Sequence, residues 1–309
     1  MRENLVLSSG YGYPVEYLQP FLKSIARNMQ SADVILFYHD TSEHAVSHLR
    51  NFLGRLKVVK PSDHLVRQAI SILPRGRKRL SQLIHPFAQR LSPYSPLLTG
   101  IYSVHYARYF WAAEYCERVN VTQYKKVMLC DSRDVILQSD VFDKIDHITF
   151  VTGADERRIG ECYGNQNYIL ESYGKDVGNE IVRQLWKELI INSGVSLGPR
   201  EAVLEYLQMV TKEIKYVGKT LVDGRQGDQG IHNYLIRSNV LKFPVRVTKN
   251  TDGIIGTLYN YDEDKISING DSILLENGVA PRLIHQYDRV LKLSHHVEGI
   301  YGYSGYRLW

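Results

Sequence analysis

Short apolar runs alternate with helical segments through the first part of the chain, and this alternation limits the fold more than any other feature. The runs at 5–7, 34–38 and 56–59 have the length of buried strands. Residues 15–28 and the stretch that ends near Leu53 have helical spacing instead. Strands that alternate with helices are joined by crossovers, which produce a largely parallel sheet. The sequence therefore predicts an α/β fold with a mixed, mostly parallel sheet flanked by helices.

A single domain is expected to span all 309 residues, because no repeat, low-complexity tract or linker divides them. Within it, residues 1–150 contain the alternating strands and helices, and residues 151–309 end in a less regular portion. The net charge of +5 and the isoelectric point near 8.9 would suit an anionic partner. A nucleotide diphosphate, a phospholipid surface and nucleic acid all meet that description.

Residues 66–96 interrupt the alternation and form a basic insertion. The basic run Arg75–Arg79 precedes apolar residues at helical spacing. A basic amphipathic segment can touch a membrane surface or an acidic acceptor, here through residues 75–90. The simpler alternative is a solvated insertion that packs on the domain.

Cysteine content and hydropathy predict a cytoplasmic protein. The three cysteines cannot all pair and lack the spacing of metal ligands, so we expect reduced thiols. The chain contains no signal-peptide core and no apolar run of the length that spans a bilayer. We therefore expect a cytoplasmic location, with membrane association, if it occurs, on the cytoplasmic face.

Two carboxylates follow the apolar run at 126–130, which has the pattern of a buried strand. Asp131 comes directly after this run, and Asp134 lies three residues further on. The carboxyl ends of parallel strands face the crevice in which open α/β sheets bind ligands. Paired oxygen donors in that position suit Mg²⁺ or Mn²⁺, which can hold a diphosphate. The structural alternative is that Asp131 caps a turn and Asp134 pairs with Arg133.

Five short motifs occur in order along the chain. They are Tyr-x-Arg on a helix, a strand that ends in aspartates, Asn-x-Gly-Val, Asp-Gln at a helix start and a late His. In this chain they are Tyr106–Arg108, 126–134, Asn192–Val195, Asp228–Gly230 and Ile284–His285. Over about residues 5 to 290 the chain resembles the retaining glycogenin-like and bacterial lipopolysaccharide galactosyltransferase-like enzymes.

This resemblance implies the GT-A fold and an enzyme, a hexosyltransferase, that transfers a sugar from a nucleotide-diphosphate sugar to an acceptor hydroxyl. The donor would be UDP- rather than GDP-linked, the acceptor a glycan, a lipid-linked or a small molecule, and the reaction retaining. Residues 1–150 would bind the nucleotide, and residues 151–309 would hold the sugar, the acceptor and the metal-binding His. The alternative is a non-catalytic carbohydrate- or nucleic-acid-binding protein on a decayed transferase scaffold, although the sequence lacks a nucleic-acid reader motif.

The resemblance also implies roles for individual residues. Those for the nucleoside and the diphosphate are Ser8, Ser9, Gly10, Tyr11, Arg108, Ser132 and Arg133. Those for a Mn²⁺ or Mg²⁺ ion are Asp131, Asp134 and His285, whose imidazole favours Mn²⁺. Those for catalysis and sugar binding are Asn192, Asp228, Gln229 and Asp155. Tyr11 would stack on the base, Gln229 would lie close to the anomeric carbon, and Asp155 would be a further sugar binder or a base.

The aspartate motif departs from the pattern that it resembles. The usual motif is Asp-x-Asp, whereas here Arg133 takes the third position and the next carboxylate is Asp134. A bulge could turn Asp134 into the site. Alternatively, Asp131 could bind the metal with Arg133 on a phosphate, or Arg133 could act as the charge clamp of a metal-independent enzyme.

Overall fold

Twelve strands form three sheets in the part of the chain that the computed structural model describes, residues 2–72, 83–84, 87, 90–217 and 227–302. The strands are β1 (Asn4–Ser9), β2 (Ala32–Phe37), β3 (Leu56–Val59), β4 (Lys126–Asp131), β5 (Val135–Leu137), β6 (Phe150–Arg158), β7 (Leu189–Pro199), β8 (Val245–Thr248), β9 (Ile255–Thr257), β10 (Ser267–Asn269), β11 (Ser272–Leu274) and β12 (Leu283–His285). The central sheet has seven strands in the order β3-β2-β1-β4-β7-β6-β8.

The central sheet is mixed and mostly parallel, as the sequence predicts. Strand β7 runs antiparallel to both of its neighbours, β4 and β6. The other neighbouring strands of this sheet pair in parallel. One strand is therefore reversed next to the strand that ends in Asp131, and this reversal has consequences for the site.

Helices cover both faces of the central sheet. The described helices are α1 (Gln19–Asn28), α2 (Glu43–Phe52), α3 (His64–Ile72), α4 (Pro96–Ile101), α5 (Val104–Arg118), α6 (Tyr163–Tyr173), α7 (Lys175–Leu185), α8 (Arg200–Val217), α9 (Gly227–Arg237) and α10 (Leu291–Tyr301). Successive side chains of a strand point to opposite faces, so Leu5 and Leu7 join one apolar cluster and Val6 joins the other. Helices α5 and α8 pack in the first cluster, and α1 and α2 pack in the second.

Helix α5 begins after Ser103 and is buried on almost every side. Every residue from Tyr106 to Cys116 except Arg108 is buried, Glu114 among them. A helix that is buried on nearly all sides lies in a core rather than on a surface, which makes α5 a rigid support for Arg108.

A small three-stranded sheet, in the order β5-β12-β9, connects the C-terminal part of the chain to the end of β4. Strand β12 runs antiparallel to β5 and parallel to β9, with His285 opposite Val135. Because Val135 follows Asp134 directly, this register places His285 beside the predicted metal ligands.

The basic run Arg75–Arg79 of the predicted insertion lies outside the described residues, as does most of 75–90. Helix α3 overlaps the start of the 66–96 segment and α4 begins at its end, at Pro96. Among the helices of the described ranges, none combines the length and the apolar character needed to cross a bilayer.

Candidate active site

A cleft of about 780 Å³ opens where β1 and β4 end. Of the fourteen residues predicted for the site, ten line this cleft: Ser9, Arg108, Asp131, Ser132, Arg133, Asp134, Asn192, Asp228, Gln229 and His285. The other four, Ser8, Gly10, Tyr11 and Asp155, are not part of its lining. The carboxyl edge of a parallel sheet is the expected place for a ligand in this fold class.

The reversed strand β7 contributes to the cleft because of its direction. Its residue Val195 lies opposite Cys130 of β4. Since the two strands are antiparallel, the residues that precede Val195 extend beyond the carboxyl end of β4. Asn192 and Ser193 therefore reach the cleft from a strand whose own carboxyl end lies on the opposite edge.

Asp131, Asp134 and His285 form a compact group. A three-residue bend, 132–134, follows β4 and turns Asp134 towards the same space as Asp131. The His285 Nε2 atom lies 3.5 Å from Asp131 Oδ2 and 3.7 Å from Asp134 Oδ1. One donor atom from each residue lies within 4.8 Å of the others. The bend thus produces the arrangement required by the first of the three alternatives for the variant motif.

The imidazole of His285 is buried without a hydrogen bond. Its side chain is 2% exposed, and neither ring nitrogen has a hydrogen-bond partner. Buried polar groups in proteins are nearly always satisfied, so an exception of this kind requires an explanation. A nitrogen that faces two carboxylates has the donor set of a divalent metal site, and these residues fit such an ion.

Gly194 leaves the space in which this group sits. A Cβ atom at that position would lie 2.2 Å from His285 Cε1 and 2.7 Å from Asp131 Oδ2. Such distances are shorter than any real contact of a Cβ atom, so a side chain there would displace the group. This explains in physical terms why glycine occupies the third position of Asn192–Val195.

Arg108 connects two acidic residues across the cleft. Its Nη1 atom pairs with Asp131, and its Nη2 atom lies 2.9 Å from Asp228 Oδ2 and donates to the Ser193 carbonyl oxygen at 3.0 Å. Burial alone would raise the pKa of the Asp131 carboxyl, but Arg108 and then His285 hold it well below its usual range. Asp131 is therefore ionised and able to bind a cation.

Arg133 pairs with a residue that the sequence reasoning did not consider. Its Nη2 atom lies 2.8 Å from Asp288 Oδ2 and 3.5 Å from Asp134 Oδ2. Burial, followed by the charge of Asp134, raises the pKa of Asp288 to about 6. The expected pair between Arg133 and Asp134 is present, but it is the longer of the two contacts.

Asn192, Asp228 and Gln229 lie on the wall of the cleft that β7 and α9 form. Asn192 Oδ1 accepts from the Gly194 amide at 2.9 Å. Asp228, in the first turn of α9, accepts from Ser193 Oγ at 3.1 Å as well as from Arg108. Gln229 Nε2 donates to Asn165 Oδ1 at 2.5 Å. All three side chains are thus held in place beside the group of Asp131, Asp134 and His285.

Three of the four residues outside the cleft belong to the strand and loop at the end of β1. Ser8 Oγ donates to the Cys130 carbonyl oxygen at 2.8 Å, and Gly10 lies against Leu18. The ring of Tyr11 lies 5.3 Å from that of Trp111, and its hydroxyl lies 3.2 Å from His64 Nδ1. The ring of Tyr11 is therefore packed against aromatic side chains of the protein itself.

Asp155 lies within strand β6 rather than at its carboxyl end. The strand continues to Arg158, which is still paired with Leu189 of β7. The Asp155 carboxylate accepts from Arg157 Nη2 at 2.7 Å. It lines a separate cavity together with Glu156.

Sequence reasoning missed several residues of the cleft: Tyr13, His105, Ser193, Gln286 and Arg289 line it, and Asp288 pairs with Arg133. Ser193 and Gln286 are direct neighbours of predicted residues, and His105 lies three residues before Arg108. Closeness in the sequence to predicted site residues was therefore a weak signal for these three. Nothing in the local sequence indicates Asp288, because its partner is 155 residues away in the chain.

Comparison with known proteins supports the fold. Neither the models of known protein families nor the curated protein sequences match the chain. Among solved structures, the galactosyltransferase LgtC in complex with donor and acceptor sugar analogues has a TM-score of 0.51 at 16% identity, over 96% of this chain and 95% of LgtC. An active-site mutant of LgtC gives 0.51 at 15% identity, over 96% of this chain and 95% of the mutant. The glycosyltransferase GlyE of Streptococcus pneumoniae TIGR4 gives 0.45 at 17% identity, over 82% of this chain and 46% of GlyE.

The similarity to LgtC extends over almost the whole of both chains, and this chain has a seven-stranded, mostly parallel sheet flanked by helices. The chain has the GT-A fold, a mixed α/β architecture shared with glycosyltransferases. At this level of identity the similarity shows the fold, and the activity has to be argued from the cleft itself.

Proposed function

We propose that this protein is a metal-assisted glycosyltransferase that moves a sugar from a nucleotide-diphosphate sugar to an acceptor hydroxyl. One observation carries the proposal: a buried histidine without hydrogen bonds faces two carboxylates at the carboxyl edge of a GT-A sheet. The neighbours of this group are cations, and the wall beside it is made of amides and a further carboxylate. That combination suits a ligand with an anionic diphosphate and a polyhydroxylated sugar.

Asp131, Asp134 and His285 would hold the divalent ion, and the imidazole favours Mn²⁺ over Mg²⁺. When bound, such an ion would neutralise negative charge on the departing diphosphate. Arg108 is already committed to Asp131 and Asp228. Its guanidinium would therefore fix those carboxylates as well as add positive potential next to the leaving group.

Arg289 is the cleft cation best placed to meet a phosphate directly. Its side chain is 30% exposed, and its Nε atom lies 3.7 Å from Asp288, a longer approach than the ion pairs of Arg108 and Arg133. An arginine fork matches two phosphate oxygens at once. We place Ser9, Ser132 and Arg133 on the side of the cleft that would hold the diphosphate. The end of β1, with Tyr11, would hold the nucleoside.

The sugar would lie against Asn192, Asp228 and Gln229. Hydroxyl groups can donate to Asp228 and exchange hydrogen bonds with the two amides. Asp155 stays a candidate for sugar or acceptor binding, but its ion pair with Arg157 makes it the weaker one. We infer a UDP-linked hexose from the resemblance in the motifs rather than from the residues of the cleft.

The expected reaction is retaining, as the resemblance in the motifs implies. The acceptor oxygen forms its bond to the anomeric carbon on the face from which the bond to the diphosphate oxygen breaks, and that oxygen takes the acceptor proton. The protein's own part is to hold donor and acceptor in this geometry and to exclude water.

One experiment distinguishes the enzyme from a non-catalytic sugar-binding protein on the same scaffold. Purified protein is incubated with UDP- and GDP-sugars, with and without Mn²⁺, and release of the nucleoside diphosphate is measured. We expect release from a UDP-sugar that stops when EDTA removes the metal, and a large loss in Asp131→Asn. Binding of a nucleotide-sugar without any release, with or without a hydroxyl acceptor, would indicate the binding protein instead.

A further inference from the structure

The two oxygens of Asp134 face opposite partners. Its Oδ1 atom lies 3.7 Å from His285 Nε2, on the side of the metal-binding group. Its Oδ2 atom lies 3.5 Å from the Arg133 guanidinium. A guanidinium that nothing else holds can close on a carboxylate and draw it away from a metal ion. Arg133 therefore competes with the metal ion for Asp134 unless a second partner holds it, as Asp228 holds Arg108 beside Asp131.

Asp288 is the second partner of Arg133, and the closer one. The separation of 2.8 Å from Asp288 is that of a charge-assisted hydrogen bond, whereas 3.5 Å from Asp134 is a looser ion pair. The side chain of Asp288 is 9% exposed. A buried carboxylate needs a cation beside it. Asp288 therefore depends on Arg133, and in turn it holds the Arg133 guanidinium in place.

The backbone after β12 places Asp288 in this position. Gln286 has a φ of +62°, a left-handed conformation that a residue with a side chain rarely adopts. The turn there lets the Gln286 amide donate to the Asp134 carbonyl oxygen at 2.7 Å and the Tyr287 hydroxyl donate to that of Arg133 at 3.3 Å. The segment 285–288 thus lies along the bend 132–134 and brings one acidic side chain to its arginine.

We propose that Asp288 is a positioning residue that holds the Arg133 guanidinium away from Asp134 and so leaves Asp134 free to serve as the second metal ligand. In this way the chain tolerates an arginine at the position where Asp-x-Asp carries its second carboxylate. The inference rests on the metal site of the proposed function, and it assigns a role to a residue that no motif indicates.

The test is a double-mutant cycle read out by Mn²⁺ affinity rather than by activity. Electron paramagnetic resonance of free Mn²⁺ gives the dissociation constant for the wild type, Asp288→Asn, Arg133→Gln and the double variant. Asp288→Asn leaves Asp134 as the closest carboxylate of Arg133, so we expect affinity to fall by about tenfold, the size of effect known for outer-shell partners. Arg133→Gln removes the competitor, and we expect equal or tighter binding. The double variant should return to within about threefold of the wild type.

A matched control uses the surface pair of Arg27 with Asp271, which has an Arg–Asp contact of 2.6 Å and lies outside the lining of the cleft. Asp271→Asn should leave Mn²⁺ affinity unchanged, and thermal unfolding of each variant reports whether it folds.

Two results would overturn the inference. One is wild-type affinity in Asp288→Asn, and the other is a double variant as weak as that single variant. If Asp288→Asn does not fold, Arg133→Gln decides, since weaker Mn²⁺ binding in that variant would mean that Arg133 supports the ligand rather than competes for it. A wild-type protein that does not bind Mn²⁺ would contradict the proposed metal site itself, which is a different outcome from these.

Discussion

Two buried histidines of this protein each follow an isoleucine and precede an amide residue, but they have opposite surroundings. His232 lies in α9 within Gly-Ile-His-Asn, and His285 ends β12 within Leu-Ile-His-Gln. Both are buried, at 0% and 1% exposure. The nitrogens of His232 lie 2.7 Å from the Tyr206 hydroxyl and 3.2 Å from Thr152 Oγ1. Neither nitrogen of His285 has a hydrogen bond, and Nε2 faces two carboxylates.

The difference between the two shows where a ligand is expected. Burial lowers the pKa of His232 to about 3, so this ring is neutral and its two hydrogen bonds complete its role in the core. An imidazole that is buried without a hydrogen bond is uncommon, so His285, whose Nε2 faces two carboxylates, is the histidine at which we expect a ligand.

The largest effect is expected from removing the imidazole of the metal-binding group. His285→Ala should lower the rate of sugar transfer by about 1000-fold through loss of charge stabilisation at the leaving group. Its melting temperature should fall by less than that of a variant at His232, because only the two longer carboxylate contacts of 3.5 and 3.7 Å are lost and no hydrogen bond. The matched variant His232→Gln should show the reverse, with lower stability and a rate close to that of the wild type. Equal loss of stability in both variants would remove the distinction between the two histidines.

Arg108→Lys should reduce the transfer rate by about 100-fold, because one ammonium group cannot hold Asp131 and Asp228 in the geometry of a guanidinium fork. Arg118→Lys is a suitable control on the same helix, since Arg118 is an exposed partner of Glu114. Steady-state kinetics on both variants check this. A loss confined to the control would contradict the role of Arg108.

Gly194→Ala tests whether the space around His285 is needed. The added Cβ would lie 2.2 Å from its ring, so we expect Mn²⁺ affinity to fall about tenfold and stability by about 1–3 kcal/mol. Gly54→Ala is the control, since a Cβ there meets nothing within 4 Å. Calorimetric titration with Mn²⁺ and thermal unfolding measure the two effects. Unchanged affinity in Gly194→Ala would mean that the group tolerates displacement.

The smallest effect concerns stability against pH. The folded pKa of His232, about 3, lies below the ordinary value of 6.5, so the unfolded chain binds the proton first. Stability from this residue is complete above pH 6.5 and is lost as the pH falls towards 3. Between pH 7 and pH 6 the ratio of folded to unfolded protein should fall roughly threefold from this residue. Denaturant titrations of the wild type and His232→Gln isolate the contribution; parallel pH profiles would show that it is absent.

The sequence predicts those parts of the molecule that depend on local pattern. Strand β4 and Asp131 at its end follow from an apolar run and the residue after it. Helix α9 begins at the predicted Asp-Gln, and the sheet class follows from the alternation of strands and helices. These features need no knowledge of distant residues, because strand length and helical spacing are local properties.

Features that depend on long-range register could not be predicted from the residues. The pairing of β5 with β12 places His285 beside Asp134, and no local pattern encodes it; resemblance supplied that residue. The contact of Asp288 with Arg133 depends on the same pairing. Tyr11 and Tyr13 both follow β1, but only Tyr13 lines the cleft, a distinction set by the packing of Trp111 against Tyr11.

Binding of UDP with and without Mn²⁺ tests the central claim most directly. Isothermal titration of UDP is carried out with the wild type, His285→Ala and His232→Gln, each in Mn²⁺ and in EDTA. The account predicts that the wild type and His232→Gln bind UDP only when Mn²⁺ is present, and that His285→Ala does not bind it in either condition. Equal binding of UDP by the wild type in Mn²⁺ and in EDTA would contradict the claim that Asp131, Asp134 and His285 hold a metal for the diphosphate.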